Sequence, residues 1–346
     1  MDTLKTLKDL IAIPSINPMR ANSGEAAERA ATDYLESLLR REQIDCERQA
    51  VADGRENLIA VVHASRGRST SRGRSTAGGL LLNSHIDTVP VANMAIDPFD
   101  PVLIDGRIFG RGSCDAKASI AAMLAALLAH AQRPERPRPV LFLATVDEEF
   151  SFAGSRRFIE RRWPVSAAVV GEPTELDNVI AHKGVVRWRL QVRGVSAHGA
   201  TPELGRNAIY DGARVAVSLE QYASELSRRG GHPLLQHPTL NVGRVTGGQA
   251  VNMVPDRCEF EIDRRVLPGE SAAEALKDCE EWLRKRLDGL DFSLEDPFLD
   301  DPPLETSSDS KIARSLQNAQ QSVLGNASPC VGAHYGTDGS KLAAVG

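Results

Sequence analysis

The pattern of apolar and polar residues divides the chain into two regions. In the first region, four strand-length runs are rich in apolar residues, and the last two are almost continuously apolar, as in strands covered on both faces. These runs are Asn57–Ala64, Gly79–Ser84, Val140–Val146 and Ala167–Val170. Ser119–Ala131 is apolar nearly all round and predicts a buried helix, and residues 23–43 predict a helix with Ser23 as its N-cap. The first region is therefore predicted to be α/β, with helices on both faces of a sheet.

The second region begins with a strand that alternates strictly. Its apolar positions are Val186, Trp188, Leu190 and Val192, and its polar positions are Arg187, Arg189, Gln191 and Arg193. A strand with one solvent-exposed face is typical of an antiparallel sheet. A helix at 207–228, strands at 239–245 and 258–266, a helix at 272–286 and a short strand near Phe292 follow. The order βαββαβ predicts a ferredoxin-like sandwich.

The helical pattern resumes at Ser310–Leu324, so we interpret the second region as an insertion in the first. The prediction is a discontinuous domain over 1–179 and 295–346, interrupted by a smaller domain over 180–294. A length of 346 residues suits two domains. Two copies of Arg-Gly-Arg-Ser-Thr, at 66–70 and 72–76, contain no apolar residue and predict a disordered insertion without a catalytic role.

Composition excludes several classes of function. The formal net charge of −5 gives no reason to expect nucleic acid as a partner. No apolar stretch reaches the ~18–20 residues that span a bilayer, and the amino-terminal segment lacks the apolar block of a signal peptide. The five cysteines include no CxxC pair, which favours reduced thiols and a cytoplasmic location.

Residue types that commonly bind metals follow three of the apolar strands. In an open sheet with helices on both faces, ligands bind just outside the carboxyl ends of the strands. The candidates at these ends and at the start of the buried helix are His85, Asp87, Asp115, Asp147, Glu148, Glu149 and Glu172. A lone Glu-Glu pair or a lone His-x-Asp indicates little, but their joint placement points to a metal site.

The spacing within two pairs, His85 with Asp87 and Glu148 with Glu149, suggests a different role for each member. A period of two puts His85 and Asp87 on the same side of the chain, where a carboxylate can hold the second nitrogen of a metal-bound imidazole. Glu148 and Glu149 are adjacent, so in an extended segment one can bind metal while the other faces a bound water.

With these motifs the chain resembles the co-catalytic zinc amidohydrolases, the family of acetylornithine deacetylases, succinyl-diaminopimelate desuccinylases, aminoacylases and carboxypeptidase G enzymes. The segments that carry the resemblance are Leu80–Pro90, Phe109–Lys117, Val140–Phe150, Val169–Thr174 and Gly336–Gly346. The resemblance implies a zinc-peptidase-like, mixed-sheet catalytic domain and an inserted lid.

The resemblance also implies roles for six of these residues. His85 and Glu172 hold one divalent metal ion, Asp115 bridges, and Glu149 holds a second ion. Glu148 is the general base, and Asp87 lies behind His85. The implied metal is zinc, with cobalt or manganese as alternatives.

Three further residues are implied in the lid. His198, in GVSAHGATPELGRNAI, matches the histidine that donates to the oxyanion. Asn252, in GGQAVNMVP, and Arg265, in DRRVLPG, match substrate-recognition stretches. A bidentate guanidinium such as that of Arg265 suits a substrate α-carboxylate, and an ordinary cross-strand ion pair is the competing interpretation for Arg265 and for its neighbour Arg264. The resemblance further implies a homodimer formed through the lid.

Family members continue past a GTD…KLA…G stretch to a histidine that completes the second metal site. Because this sequence ends at Gly346, we expect the second ion to have only Asp115 and Glu149 from the recognised set. The expectation is that one metal binds more tightly than the other and that hydrolysis by these 346 residues is weak.

Three functions follow from the sequence. The leading hypothesis is hydrolysis of the amide bond of N-acyl amino acids, of the acetylornithine deacetylase or succinyl-diaminopimelate desuccinylase type. The second is a dipeptidase or carboxypeptidase that uses the same two-metal site. The third is a non-catalytic binding protein, because the last metal ligand is missing.

Overall fold

A computed structural model describes residues 1–19, 27–65, 78–92 and 94–345. The chain forms two compact units, Met1–Leu176 with Thr337–Gly346, and Asp177–Gly336. The predicted N-cap Ser23 and both copies of the short repeat lie outside the described residues.

The elements follow in chain order. Those of the first unit are α1 Thr3–Ala12, α2 Arg29–Arg41, β1 Asp45–Ala52, β2 Arg55–Val62, β3 Gly79–His85, β4 Val102–Ile104, β5 Arg107–Phe109, α3 Lys117–Ala131, β6 Val140–Thr145, α4 Ala153–Ile159 and β7 Val165–Val170. Those of the second unit are β8 Val179–His182, β9 Gly184–Arg193, β10 Ala197–His198, α5 Ala208–Leu226, β11 Thr239–Gly247, β12 Met253–Val254, β13 Arg257–Val266, α6 Ala272–Arg286, β14 Phe292–Leu294, β15 Leu299–Asp301, β16 Leu304–Glu305, α7 Lys311–Leu324 and β17 Val331–Ala333. The chain then returns to the first unit with α8, Gly339–Ala343.

The first unit is built on a mixed five-stranded sheet in the order β1-β2-β6-β3-β7. β3 is parallel to both β6 and β7, whereas β2 pairs antiparallel with β1 on one side and with β6 on the other. Alternate residues of β2 and β6 face opposite sides: Leu58 and Phe142 pack with α1, α2 and α3, while Ile59 and Leu143 pack with α4 and α8. This confirms the predicted α/β sheet with helices on both faces.

The second unit contains the inserted sandwich. Its main sheet has the order β11-β13-β9-β14, with β15 also paired to β9, and all of its pairings are antiparallel. The buried side chains of β9 and β13, among them Trp188 and Phe260, pack against α5 and α6. Asn207 caps α5, and Ser271 with Glu274 forms a capping box on α6, so both helices begin where polar residues take up free amide groups. The predicted ferredoxin-like order is confirmed.

The compact units differ from the predicted domain limits after residue 294. Residues 295–336 belong to the second unit, because β15 pairs with β9, and β16 and β17 pair with β8. These strands have only two or three residues, too few for a period of two to show in the sequence. Among the described residues, no helix combines the length and apolar character needed to cross a bilayer.

Candidate metal centre and active site

The candidate ligands of the first unit meet at one edge of its sheet. The parallel register pairs His85 of β3 with Thr145 of β6, and Asn83 of β3 with Val170 of β7. The three strands therefore end side by side. The segments that follow them carry Asp87, the turn Asp147–Glu149, and Glu172 to the same place, as the topology of an open sheet requires.

His85 lies at the centre of this group and is buried. Its Nε2 is 3.0 Å from Asp115 Oδ1 and 3.8 Å from Glu172 Oε2. Donor atoms of His85, Asp115 and Glu149 all lie within 4.8 Å of one another. The structure thus brings together all four residues predicted to hold metal.

The donor set fits a divalent metal ion. One imidazole nitrogen with several carboxylate oxygens is a ligand set that zinc accepts. Glu172 Oε1 is buried and has no hydrogen-bond partner in the described part of the chain. A buried carboxylate oxygen without a partner is costly unless a cation or water satisfies it, so this atom points to a ligand.

Asp87 supports the site in two ways. The Nδ1 of His85 is 2.9 Å from the main-chain oxygen of Asp87 and 3.6 Å from its carboxylate. Because a carbonyl oxygen only accepts, Nδ1 carries a proton and Nε2 is the nitrogen that faces the other carboxylates. The Asp87 carboxylate itself accepts the backbone N–H groups of Glu148, at 3.2 Å, and Glu149, at 3.1 Å. It therefore anchors the segment that carries both glutamates.

The site concentrates negative charge in a buried place. Burial, with the Glu172 charge, raises the pKa of Glu148 well above its usual value, against the opposing effect of His85. Burial also raises the pKa of Glu149 to about 7 and that of Glu172 to about 8. Burial lowers the pKa of His85, but the hydrogen bonds to Asp115 and Asp87 raise it. The pKa of His85 is therefore well above its usual value. Such an arrangement favours bound cations.

Sequence reasoning missed one acidic residue of the site. Asp338 is buried and accepts a hydrogen bond from the Thr145 hydroxyl at 2.6 Å, while its Oδ1 has no hydrogen-bond partner among the described residues. Its charge also helps to raise the pKa of Glu148, although burial and the Glu172 charge contribute more. The GTD motif around Asp338 was visible in the sequence, but nothing local showed that it returns to this sheet.

Lys117 is a second residue that the sequence did not single out. It is fully buried two residues after Asp115, and its ammonium donates to the main-chain oxygens of Leu10, at 2.9 Å, and Ile13, at 2.8 Å. Burial lowers its pKa to about 8. Lys117 therefore ties the start of α3 to the end of α1.

In the second unit, the structure places two of the predicted lid residues side by side. His198 of β10 pairs with Met253 of β12, and the Gly199 amide donates to the main-chain oxygen of Asn252 at 2.8 Å. The Ala200 amide donates to His198 Nδ1 at 3.1 Å, so Nδ1 is an acceptor and the ring proton is on Nε2. The exposed His198 ring therefore presents a donor.

Arg265 has a different setting. It lies on β13, and its Nε donates to Asp263 of the same strand at 2.7 Å. No hydrogen bond or ion pair joins it to His198 within the described residues. Its neighbour Arg264 is buried and pairs with Glu270 at 3.0 Å.

Comparison with known proteins identifies the family. Residues 81–345 match the sequence profile of peptidase family M20/M25/M40. The acetylornithine deacetylase of Proteus mirabilis (strain HI4320) is 32% identical over 291 residues, which cover 82% of this chain and 71% of that protein. The acetylornithine deacetylase of Myxococcus xanthus is 32% identical over 324 residues, which cover 91% of this chain and 80% of that protein.

The same fold occurs in a solved structure, a tripeptidase from Staphylococcus aureus. The TM-score is 0.75 at 21% sequence identity, and the similarity covers 99% of this chain and 86% of the tripeptidase. The family profile spans the strand ends of the first unit and the whole of the second unit. The chain therefore belongs to peptidase family M20/M25/M40, as a hydrolase of amide bonds.

Proposed function

We propose that this protein hydrolyses the amide bond of N-acyl amino acids, as a deacylase of the acetylornithine deacetylase type. The observation that carries the proposal is the buried Glu148 beside the cluster of His85, Asp115 and Glu149. Two relatives at 32% identity are acetylornithine deacetylases, which favours deacylation over peptide cleavage.

The proposed cofactor is a pair of zinc ions. His85 and Glu172 would hold one ion, Glu149 the other, and Asp115 would bridge them. Bound there, the ions would supply Lewis acidity and lower the pKa of a water molecule to near neutrality.

Glu148 is the proposed general base. Its carboxylate takes a proton from the attacking water, the C–N bond of the amide breaks, and the same proton passes to the leaving amine. Asp87 keeps the backbone of Glu148 in place while the proton moves.

The lid residues supply the remaining groups in this proposal. His198 would donate a hydrogen bond from its Nε2–H to the developing oxyanion. Asn252 and Arg265 would bind the polar groups of the amino acid. We further propose that the second unit forms a homodimer, since Tyr210 and Val217 on α5 and Val245 on the edge strand β11 are all more than half exposed.

The test compares substrates on the zinc-loaded protein. We expect kcat/KM to be highest for N-acetylornithine or N-succinyl-diaminopimelate and much lower for simple dipeptides. Glu148→Gln keeps the size of the side chain and should lower kcat by about 10²–10⁴ without changing the zinc content. Preference for dipeptides would establish the peptidase alternative, and near wild-type turnover by Glu148→Gln would remove Glu148 as the base.

A mixture of two variants tests whether His198 acts across the proposed dimer. His198→Ala should also lower kcat, and mixing it with Glu148→Gln should restore part of the activity if His198 serves the active site of the other copy. Confirmed heterodimers without any recovery would show that each histidine serves its own chain.

A further inference from the structure

Five polar side chains form a continuous buried network behind the turn Asp147–Glu149, which we call the acidic turn. They are Asn17, Glu28, Arg55, Asp87 and Asp147, and none is more than 5% exposed. Only Asp87 has a role in the proposed reaction. Burying this many polar groups is unfavourable unless each is paired, and the pairing shows what they hold.

Asn17 joins two of the carboxylates. Its Nδ2 donates to Asp87 Oδ2 at 2.8 Å and to Asp147 Oδ1 at 3.1 Å, which uses both amide hydrogens. Its Oδ1 accepts the backbone N–H of Met19 at 2.8 Å, so the amide is held in one orientation. Asn17 therefore sets the distance between Asp87 and the first residue of the acidic turn.

Arg55 holds the other side of Asp147. Its Nη1 donates to Asp147 Oδ1 at 2.8 Å, and its Nε is 2.9 Å from Glu28 Oε2. A second guanidinium nitrogen, Nη2, donates to Glu28 Oε1. The two-point contact with Glu28 fixes the plane of the guanidinium, because Arg and carboxylate groups match as parallel pairs. Glu28 thus orients the cation that holds Asp147.

The acidic turn needs such support. Asp147 has a φ of +64°, in the left-handed region that few non-glycine residues occupy. The Ser151 hydroxyl donates to its second carboxylate oxygen. The next two backbone amides, those of Glu148 and Glu149, donate to Asp87. Both the side chain and the main chain of the turn are therefore fixed from behind.

We propose that Asn17, Arg55 and Glu28 are positioning residues for the metal centre. They are buried behind the acidic turn and hold it so that its two glutamates face His85. The effect on catalysis rests on the function proposed above, whereas the effect on metal binding does not require any particular substrate.

The experiment measures Co²⁺ binding to the full chain, because the visible absorption of Co²⁺ reports the ligands around the ion. Asn17→Ala should weaken Co²⁺ binding by about tenfold or more and alter the absorption bands, as removal of groups that orient metal ligands does elsewhere. The matched control is Tyr34→Phe, which also removes one donor to a carboxylate of the first unit, Asp9 at 2.9 Å. The control should bind Co²⁺ like the wild type.

A second variant guards against loss of folding. Arg55→Lys keeps the positive charge but cannot hold Glu28 and Asp147 in the same planar way, so it should weaken Co²⁺ binding in the same direction. If the wild type hydrolyses the substrate, Asn17→Ala and Arg55→Lys should each lower kcat with little change in KM. Folded variants with wild-type Co²⁺ affinity and spectrum would overturn the proposal. Absence of amide hydrolysis in the wild type would overturn only the proposed function.

Discussion

The catalytic edge of the first unit buries its charged residues, whereas one face of the main sheet in the second unit leaves its charged residues partly exposed. The first unit buries Arg55, Lys117 and Glu148 inside, next to its catalytic edge. The second unit places arginines and acids on the face of its sheet that points away from α5 and α6. A buried charge must be paired or it destabilises the fold, whereas a solvated charge has little effect in either direction. The buried charges near the active site therefore require pairing within the interior of the first unit.

Register explains the charged face of the second unit. β9 and β13 align Arg187 with Asp263 and Arg189 with Glu261, and the guanidinium Nε atoms lie 2.8 Å and 3.2 Å from the carboxylates. Directly opposed residues of unlike charge support an antiparallel pair. These pairs are partly exposed, so solvent screens them.

Replacing Arg55 by Met should have the largest effect on stability. The change leaves Glu28 and Asp147 as buried carboxylates without their cation, so we expect the free energy of unfolding to fall by about 3–5 kcal/mol. Urea denaturation followed by circular dichroism measures it. Adding Glu28→Met should recover part of the loss, because it removes one of the two carboxylates. A loss below about 1 kcal/mol would show that the pair is not buried in solution.

Replacing Lys117 by Met should have an intermediate effect. The ammonium donates to two main-chain oxygens at the end of α1, and Met keeps most of the volume but neither donor. Hydrogen bonds from charged groups contribute about 1.5–3 kcal/mol, so a loss of that order is expected. Hydrogen exchange should increase most in α1. Unchanged exchange there would mean that Lys117 does not hold this helix.

Replacing Arg189 by Met should have the smallest effect and serves as the control for the other two. Its ion pair with Glu261 is partly exposed, and such pairs contribute about 0.2–1 kcal/mol. The residual difference should shrink further in high salt, because salt screens exposed charges. A loss as large as that of Arg55→Met would contradict the contrast between the two units.

Local patterns predicted the elements that bury one consistent face. The alternation around Trp188 predicted β9, and the apolar block after Asp115 predicted α3. Elements without such a pattern were not predicted: β1 has an intermediate or exposed residue at every position, and the exposed hairpin of β4 and β5 has strands of only three residues. Periodicity reports burial, so strands without a fully buried face leave little trace in the sequence.

The sequence by itself determined the fold class and the residues at the strand ends, because both depend on local periodicity and on the motifs that follow each strand. Only the tertiary structure decided which groups support them. Asn17 meets Asp147 across 130 positions, Arg55 meets it across 92, and Thr145 meets Asp338 across 193. A single Asn, Arg or Thr in a sequence carries no sign of a distant partner. The pairings exist because folding places those polar groups in one buried space, where each must find a hydrogen bond.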